Sequence, residues 1–80
     1  MDNGNVNRLN NAGQKYGFCA GIKYDSDKEG PKHKPTWHSI VRINGIEHGR
    51  GQGSNEKAAK EEAAGQALKV LEENNFNPNI

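Results

Sequence analysis

The sequence predicts an α+β domain in the order helix, three strands, helix. The strands form one antiparallel sheet, and both helices pack on one of its faces. Three observations predict it. Apolar residues recur at helical spacing near each end of the chain. They alternate in twos through the middle. Between two alternating runs lies Asn44-Gly45, the strongest short hairpin signal, which demands a type I′ turn. A sheet with one apolar face must be covered, and the two amphipathic helices are the only elements able to cover it.

Residues 1–4 read as a flexible lead-in, with Asn3 and Asn5 as candidate caps of the first helix. From there Val6, Leu9, Ala12, Gly13 and Tyr16 keep helical spacing, so the helix runs over about 5–16. Gly17 is a left-handed stop, and Lys15 suits the negative end of the dipole. Phe18 to Asp25 reads as the first strand, on the alternation of Ala20, Ile22 and Tyr24. Cys19 is then a small strand residue, and Gly21 a bulge. Residues 26–36 break all periodicity, and Gly30-Pro31 and Pro35 make them a loop with its own shape.

Trp37 to Ile43 is the clearest strand. Trp37, Ser39, Val41 and Ile43 alternate with His38, Ile40 and Arg42. Phase assigns Trp37 and Tyr16 to the core, in step with Val41 and Leu9. His38 and His48 are expected on exposed strand positions, and Ile40 on the outward face. Ile46 to Arg50 returns as the third strand. Gly49, Gly51 and Gly53 read as a turn with unusual dihedrals that brings the backbone close to something large. Ser54-Asn55 caps the last helix, over about 55–73, whose apolar stripe is Ala59, Ala63, Ala64, Ala67, Leu68 and Leu71. Asn74-Asn75 ends it, and 74–80 reads as a flexible tail. The folded domain is therefore 5–73.

Composition narrows the function. Eighty residues make one small domain, and with 31% apolar residues its core is thin. The single cysteine allows no disulfide within the chain and fits a reducing compartment. One cysteine and three scattered histidines show no zinc-ligand spacing, so neither metal nor cofactor is expected. No apolar run reaches membrane-spanning length, and no signal peptide is visible. The acidic residues fall as Asp25-Ser26-Asp27, Glu61-Glu62 and Glu72-Glu73, which make no acid/base or metal constellation; a catalytic role is not expected.

With a net charge of only +1, attraction to a polyanion must come from local placement. Lys57 and Lys60 sit three apart at a helix start, where free N–H groups and the positive dipole end also favour phosphate. On spacing alone, Glu56–Lys60 and Lys57–Glu61 are equally ordinary i,i+4 pairs of a solvated face. Asn10, Asn11 and Gln14 are amides facing away from Leu9, able both to donate and to accept. The loop carries Gly30, Pro31, Lys32, His33 and Lys34, stiffened by its prolines.

In this order and at these spacings the chain resembles a double-stranded RNA-binding domain, from about Asn5 to Glu72. Gly30-Pro31-Lys32-His33 matches the GPxH loop of that family, with Trp37 at its usual aromatic position. Val41, Ile43 and Gly45 continue its strand pattern. Gly49, Gly51 and Gly53, then Lys57, Ala59, Lys60, Ala63 and Ala64, match its glycine spacing and last helix. Two positions depart: Glu56 stands where a lysine is usual, and Asn11 where a glutamate often meets the minor groove. These bear on binding strength rather than on fold.

The resemblance implies sequence-tolerant binding of double-stranded RNA, with no enzyme activity in this domain. Lys57 and Lys60 would bridge phosphates across the major groove. The GPKH loop and the amides Asn10, Asn11 and Gln14 would meet minor-groove 2′-hydroxyls. It implies an intracellular protein, cytoplasmic or nuclear, and a module of a longer RNA-processing chain. The alternative is a protein-interaction or dimerisation module of the same fold, acting through its sheet or helix surface with weak or lost RNA binding; Glu56 and the low net charge favour it.

Overall fold

Leu9 and Gly13 mark the buried side of the first helix, α1, Asn5–Tyr16, in the computed structural model, which describes residues 4–78. Gly17 closes it at φ 84°, the left-handed stop the sequence predicts, and its N–H donates to the Gly13 carbonyl. The N-cap is Gly4, so Asn5 is the first helical residue and not the cap. The other candidate, Asn3, lies outside the described residues.

The first strand is shifted from its expected place. Cys19–Gly21 forms a 3₁₀ turn, and β1 runs Ile22–Glu29. Its second half looks unlike a strand in sequence, being polar on both faces. What makes it one is eight residues of antiparallel pairing, from Ile22↔Ile43 to Glu29↔Thr36. Strand β2 is Thr36–Ile43 and β3 is Ile46–Gly53, and the sheet order is β1-β2-β3. Asn44 at φ 54° and Gly45 at φ 83° form the left-handed pair that a type I′ turn requires.

The run Gly49 to Gly53 is strand, not turn, and none of its three glycines has a positive φ. The close approach expected there does occur, and its partner is the last helix, α2, Glu56–Glu73. A Cβ on Gly49 would meet the Ala63 carbonyl oxygen at 2.3 Å, and one on Gly51 the Ala63 nitrogen at 2.4 Å. Only glycine lets backbone lie on backbone at that distance. A bulge sets this phase. Arg42 pairs with Glu47 but Val41 with Gly49, so His48 is the extra residue. Had β3 kept the Arg42–Glu47 register without bulging, Arg50 would stand opposite the buried Ser39 and point into α2. His48 itself is 4% exposed, contrary to the exposed position expected for it. Its Nδ1 bonds the Ile46 carbonyl at 2.8 Å.

The core joins Leu9, Phe18, Val41, Ile43, Ala63, Ala64, Ala67 and Leu71 between the sheet and the two helices. The sequence misplaces its edge in two ways. Tyr16 is 46% exposed, and Trp37 is only half-buried. In the stretch read as a tail, Phe76 packs on the core and stacks on Tyr16, with ring centroids 4.5 Å apart. A hydrogen bond from its N–H to the Leu71 carbonyl, 2.6 Å, folds the chain back to make that contact.

Candidate nucleic-acid interface

The start of α2 is organised by Asn55, whose Oδ1 accepts the Ala58 N–H at 2.8 Å and holds the first turn. From that turn Lys57 and Lys60 project to one side. Together with Val6, Asn7, Glu56 and Glu61 they line a groove of about 310 Å³ between the starts of the two helices. Lys60 is half-buried there, with Nζ 3.3 Å from Glu56 Oε2 and 5.7 Å from the centre of the Tyr24 ring. Burial, then the charge of Glu61, pushes the Tyr24 phenol up to about 12. The i,i+4 pair Glu56–Lys60 therefore exists. The other expected pair does not form, because Glu61 turns to α1 and accepts the Asn5 N–H at 2.5 Å. Lys57 is exposed and makes no ion pair among the described residues.

A neighbouring groove of about 240 Å³ is lined by Val6, Asn7, Asn10, Cys19, Ile22 and Tyr24. It shares Val6 and Asn7 with the first, so Asn10 lines a groove that adjoins the one holding the lysine pair. Asn10, Asn11 and Gln14 are exposed, as expected. The Cys19 thiol, in its 3₁₀ turn, donates to Asn10 Oδ1 at 3.0 Å. Asn7 belongs to this amide stripe and was missed in the sequence. Its signal was there: it lies three residues before Asn10 and four before Asn11, hence on the same face.

Gly30, Pro31, Lys32, His33 and Lys34 are all exposed. Gly30 takes φ 95°, and the Lys34 N–H closes a turn on the Pro31 carbonyl at 3.0 Å. This loop lines neither groove, but its place is fixed by register. It joins Glu29 to Thr36, and Trp37 stands opposite Gly53, so it lies at the sheet end from which the chain enters α2. Lys32 and Lys34, like Lys57, carry no ion pair among the described residues.

The outer sheet face is different. Arg42 pairs with Asp25, Arg50 with Glu47 at 2.6 Å, and His38 with Glu29 at 2.6 Å. The hydrogen bond from Arg50 holds the Glu47 carboxyl below its usual range and raises Arg50 in turn. Ile40 stands on this outer face, as expected, and is half-buried among these pairs; among the described residues the exposed large apolar side chains are Tyr16 and Ile46. Among the described residues, no group of three His, Cys, Asp or Glu is placed to hold a metal, and no helix is long and apolar enough to cross a membrane.

Comparisons with known proteins bear on the family and the fold. The double-stranded RNA binding motif family model matches residues 6–71. Ribonuclease 3 of Corynebacterium glutamicum is 43% identical over 51 residues, which is 64% of this chain and 21% of that protein. Double-stranded RNA-binding protein 3 of Oryza sativa subsp. japonica is 44% identical over 59 residues, 69% of this chain and 14% of that protein. The chain thus spans about a fifth or less of the length of these relatives. Among solved structures, the first dsRBD of protein HYL1 superposes with a TM-score of 0.66 at 35% identity, covering 84% of this chain and 94% of that one.

Proposed function

We propose a mode of recognition from one premise: this chain belongs to the double-stranded RNA binding motif family, and its ligand is double-stranded RNA. Three surfaces make the contact. Lys57 and Lys60 reach phosphates across the major groove, which in A-form RNA is too deep and narrow for side chains to read bases. Asn10, Asn11 and Gln14, joined by Asn7, face 2′-hydroxyls and base edges of one minor groove. The Gly30–Lys34 loop, with His33 as donor or acceptor, enters the next. Domains of this kind span about 16 base pairs and sense shape more than sequence. The role is binding, not catalysis. We place the domain inside the cell, in a longer RNA-processing protein like the ribonuclease relatives.

The observation that carries this reading is the groove in which Lys57 and Lys60 meet Val6 and Asn7 of the first turn of α1, beside the groove lined by Asn10. The test is a titration with RNA duplex, RNA–DNA hybrid and DNA duplex at two salt concentrations. The RNA duplex should bind most tightly, since DNA lacks both the 2′-hydroxyl and the A-form groove spacing. Lys57→Ala with Lys60→Ala should weaken binding alike for unrelated RNA sequences and lower the salt slope by about two. Equal competition by DNA, or an unchanged slope, would replace this mode with generic charge attraction.

A further inference from the structure

The first turn of α1 is capped from outside its own helix. Gly4, at the N-cap position, has no side chain with which to cap it. The Asn5 N–H donates instead to Glu61 Oε1 at 2.5 Å, and the Val6 N–H to Glu61 Oε2 at 3.4 Å. Asn5 answers with a bond from its Nδ2 to the Glu61 carbonyl, 3.1 Å. The Asn5 amide lies over Gly65, where an added Cβ would stand 2.7 Å from Nδ2. A capping acid normally comes from the same helix, three residues on. Here it comes from α2, and the two helices are joined at one carboxylate.

We propose that Glu61 is a positioning residue for duplex recognition: its joint with Asn5 and Val6 sets where the amide stripe of α1 stands relative to Lys57 and Lys60. This rests on the interface described above. A duplex presents its phosphates and its minor groove at a fixed separation, so the two surfaces must be held at that separation before binding. Electrostatics alone argues the reverse. Glu61 lines the same groove as the two lysines, and an acid there repels a polyanion. The two accounts give opposite signs for its removal.

The experiment compares the parent, Glu61→Ala, Glu61→Gln and Lys60→Ala for binding to one RNA duplex at low temperature, with a melt of each. Glu61→Ala should bind about tenfold more weakly although it raises the net charge by one, and its Tm should fall by about 5 °C, as loss of a cap does in a domain of this size. Glu61→Gln keeps an acceptor for Asn5 and should recover most of the affinity. A double-mutant cycle with Asn10→Ala separates positioning from stability: Asn10→Ala should cost less in the Glu61→Ala background than in the parent. Additive effects, or a Glu61→Ala domain that binds as tightly as the parent or tighter, would overturn the proposal. Lys60→Ala binding like the parent would instead overturn the interface itself, so the two failures are distinct.

Discussion

The two faces of the sheet are built on opposite principles. On the inner face, β3 presents glycines, and α2 meets them with Ala59, Ala63 and Ala67, so that backbone nearly touches backbone. Position there is set to a few tenths of an ångström. On the outer face long polar side chains pair with each other: Arg42 with Asp25, Arg50 with Glu47, His38 with Glu29. Position there is loose, and charge is consumed locally. The difference shows where the remaining charge is. The formal net charge of +1 conceals cations that make no ion pair among the described residues: Lys32, Lys34 and Lys57 in the loop and at the helix start, and Arg8, Lys15, Lys23, Lys28 and Lys69 elsewhere. The inner face carries the fold, the outer face pairs most of its charge, and under the proposed mode of binding the end where β3 passes into α2 offers Lys32, Lys34 and Lys57 to the ligand.

The largest effect expected from this comparison lies on the inner face. In Gly51→Ala the new Cβ would stand 2.4 Å from the Ala63 nitrogen and 2.5 Å from the Ala59 carbonyl oxygen. Both are backbone atoms inside a helix, so neither can swing aside, and α2 must lift from the sheet. Overpacking of this kind costs about 3 kcal/mol or more, against a total stability of roughly 4–12 kcal/mol for a domain of this length. A urea melt should show the loss directly. A Gly51→Ala midpoint equal to the parent's would mean that α2 rests on the sheet less closely than described.

That close approach was half legible. Glycines at alternate positions announce a tight contact, but they do so equally for a turn and for a strand under a helix. What decides between them is the bulge at His48, which shifts the phase of β3 by one residue and turns Gly49, Gly51 and Gly53 inward. Nothing local in the sequence marks that residue. The same limit explains β1: Ser26 and Lys28 show no strand pattern, and pairing with β2 makes them strand. It also explains Tyr16, whose helical phase is right but whose covering residue, Phe76, comes from a chain reversal beyond α2. The helices, the Asn44-Gly45 turn and the Asn55 cap were readable because their signals are local. For the candidate interface the sequence could give only exposure: helical phase and the loop prolines predict Asn10, Asn11, Gln14 and residues 30–34 at the surface, and they are exposed, with Asn7 in the same phase. The Glu61 joint, which spans 56 residues, was not readable.

A smaller effect probes the charged end. Glu56 in the first turn complements the positive end of the α2 dipole and pairs with Lys60 at 3.3 Å. Glu56→Lys removes both contributions, about 1 kcal/mol together, since the pair is partly exposed. It also frees Lys60 and adds a cation to a groove assigned to phosphate. RNA affinity should rise several-fold at low salt, with a steeper salt dependence, while Tm falls by a few degrees. Calorimetric titration and a melt of the same protein measure both. Unchanged or weaker RNA binding would mean that this helix start does not face phosphate, and would strengthen the reading of the fold as a protein-interaction module.

The smallest effect belongs to the outer face, and it is the control on which the comparison depends. Arg42 and Asp25 both remain substantially exposed, with 38% and 66% of their side-chain surfaces open to water. An ion pair so placed contributes about 0.2–1 kcal/mol, because water screens the attraction and ordering two long side chains offsets part of it. Arg42→Ala should therefore move Tm by no more than a few degrees. Its effect on RNA binding is the sharper measurement. Removing any cation lowers the long-range attraction to a polyanion slightly, but the salt slope counts only cations that displace counterions at the contact. Arg42→Ala should leave that slope unchanged, whereas the lysine variants lower it. A slope reduced by about one in Arg42→Ala would place RNA on the outer face as well, and the division of the molecule into a paired face and a charged end would fail.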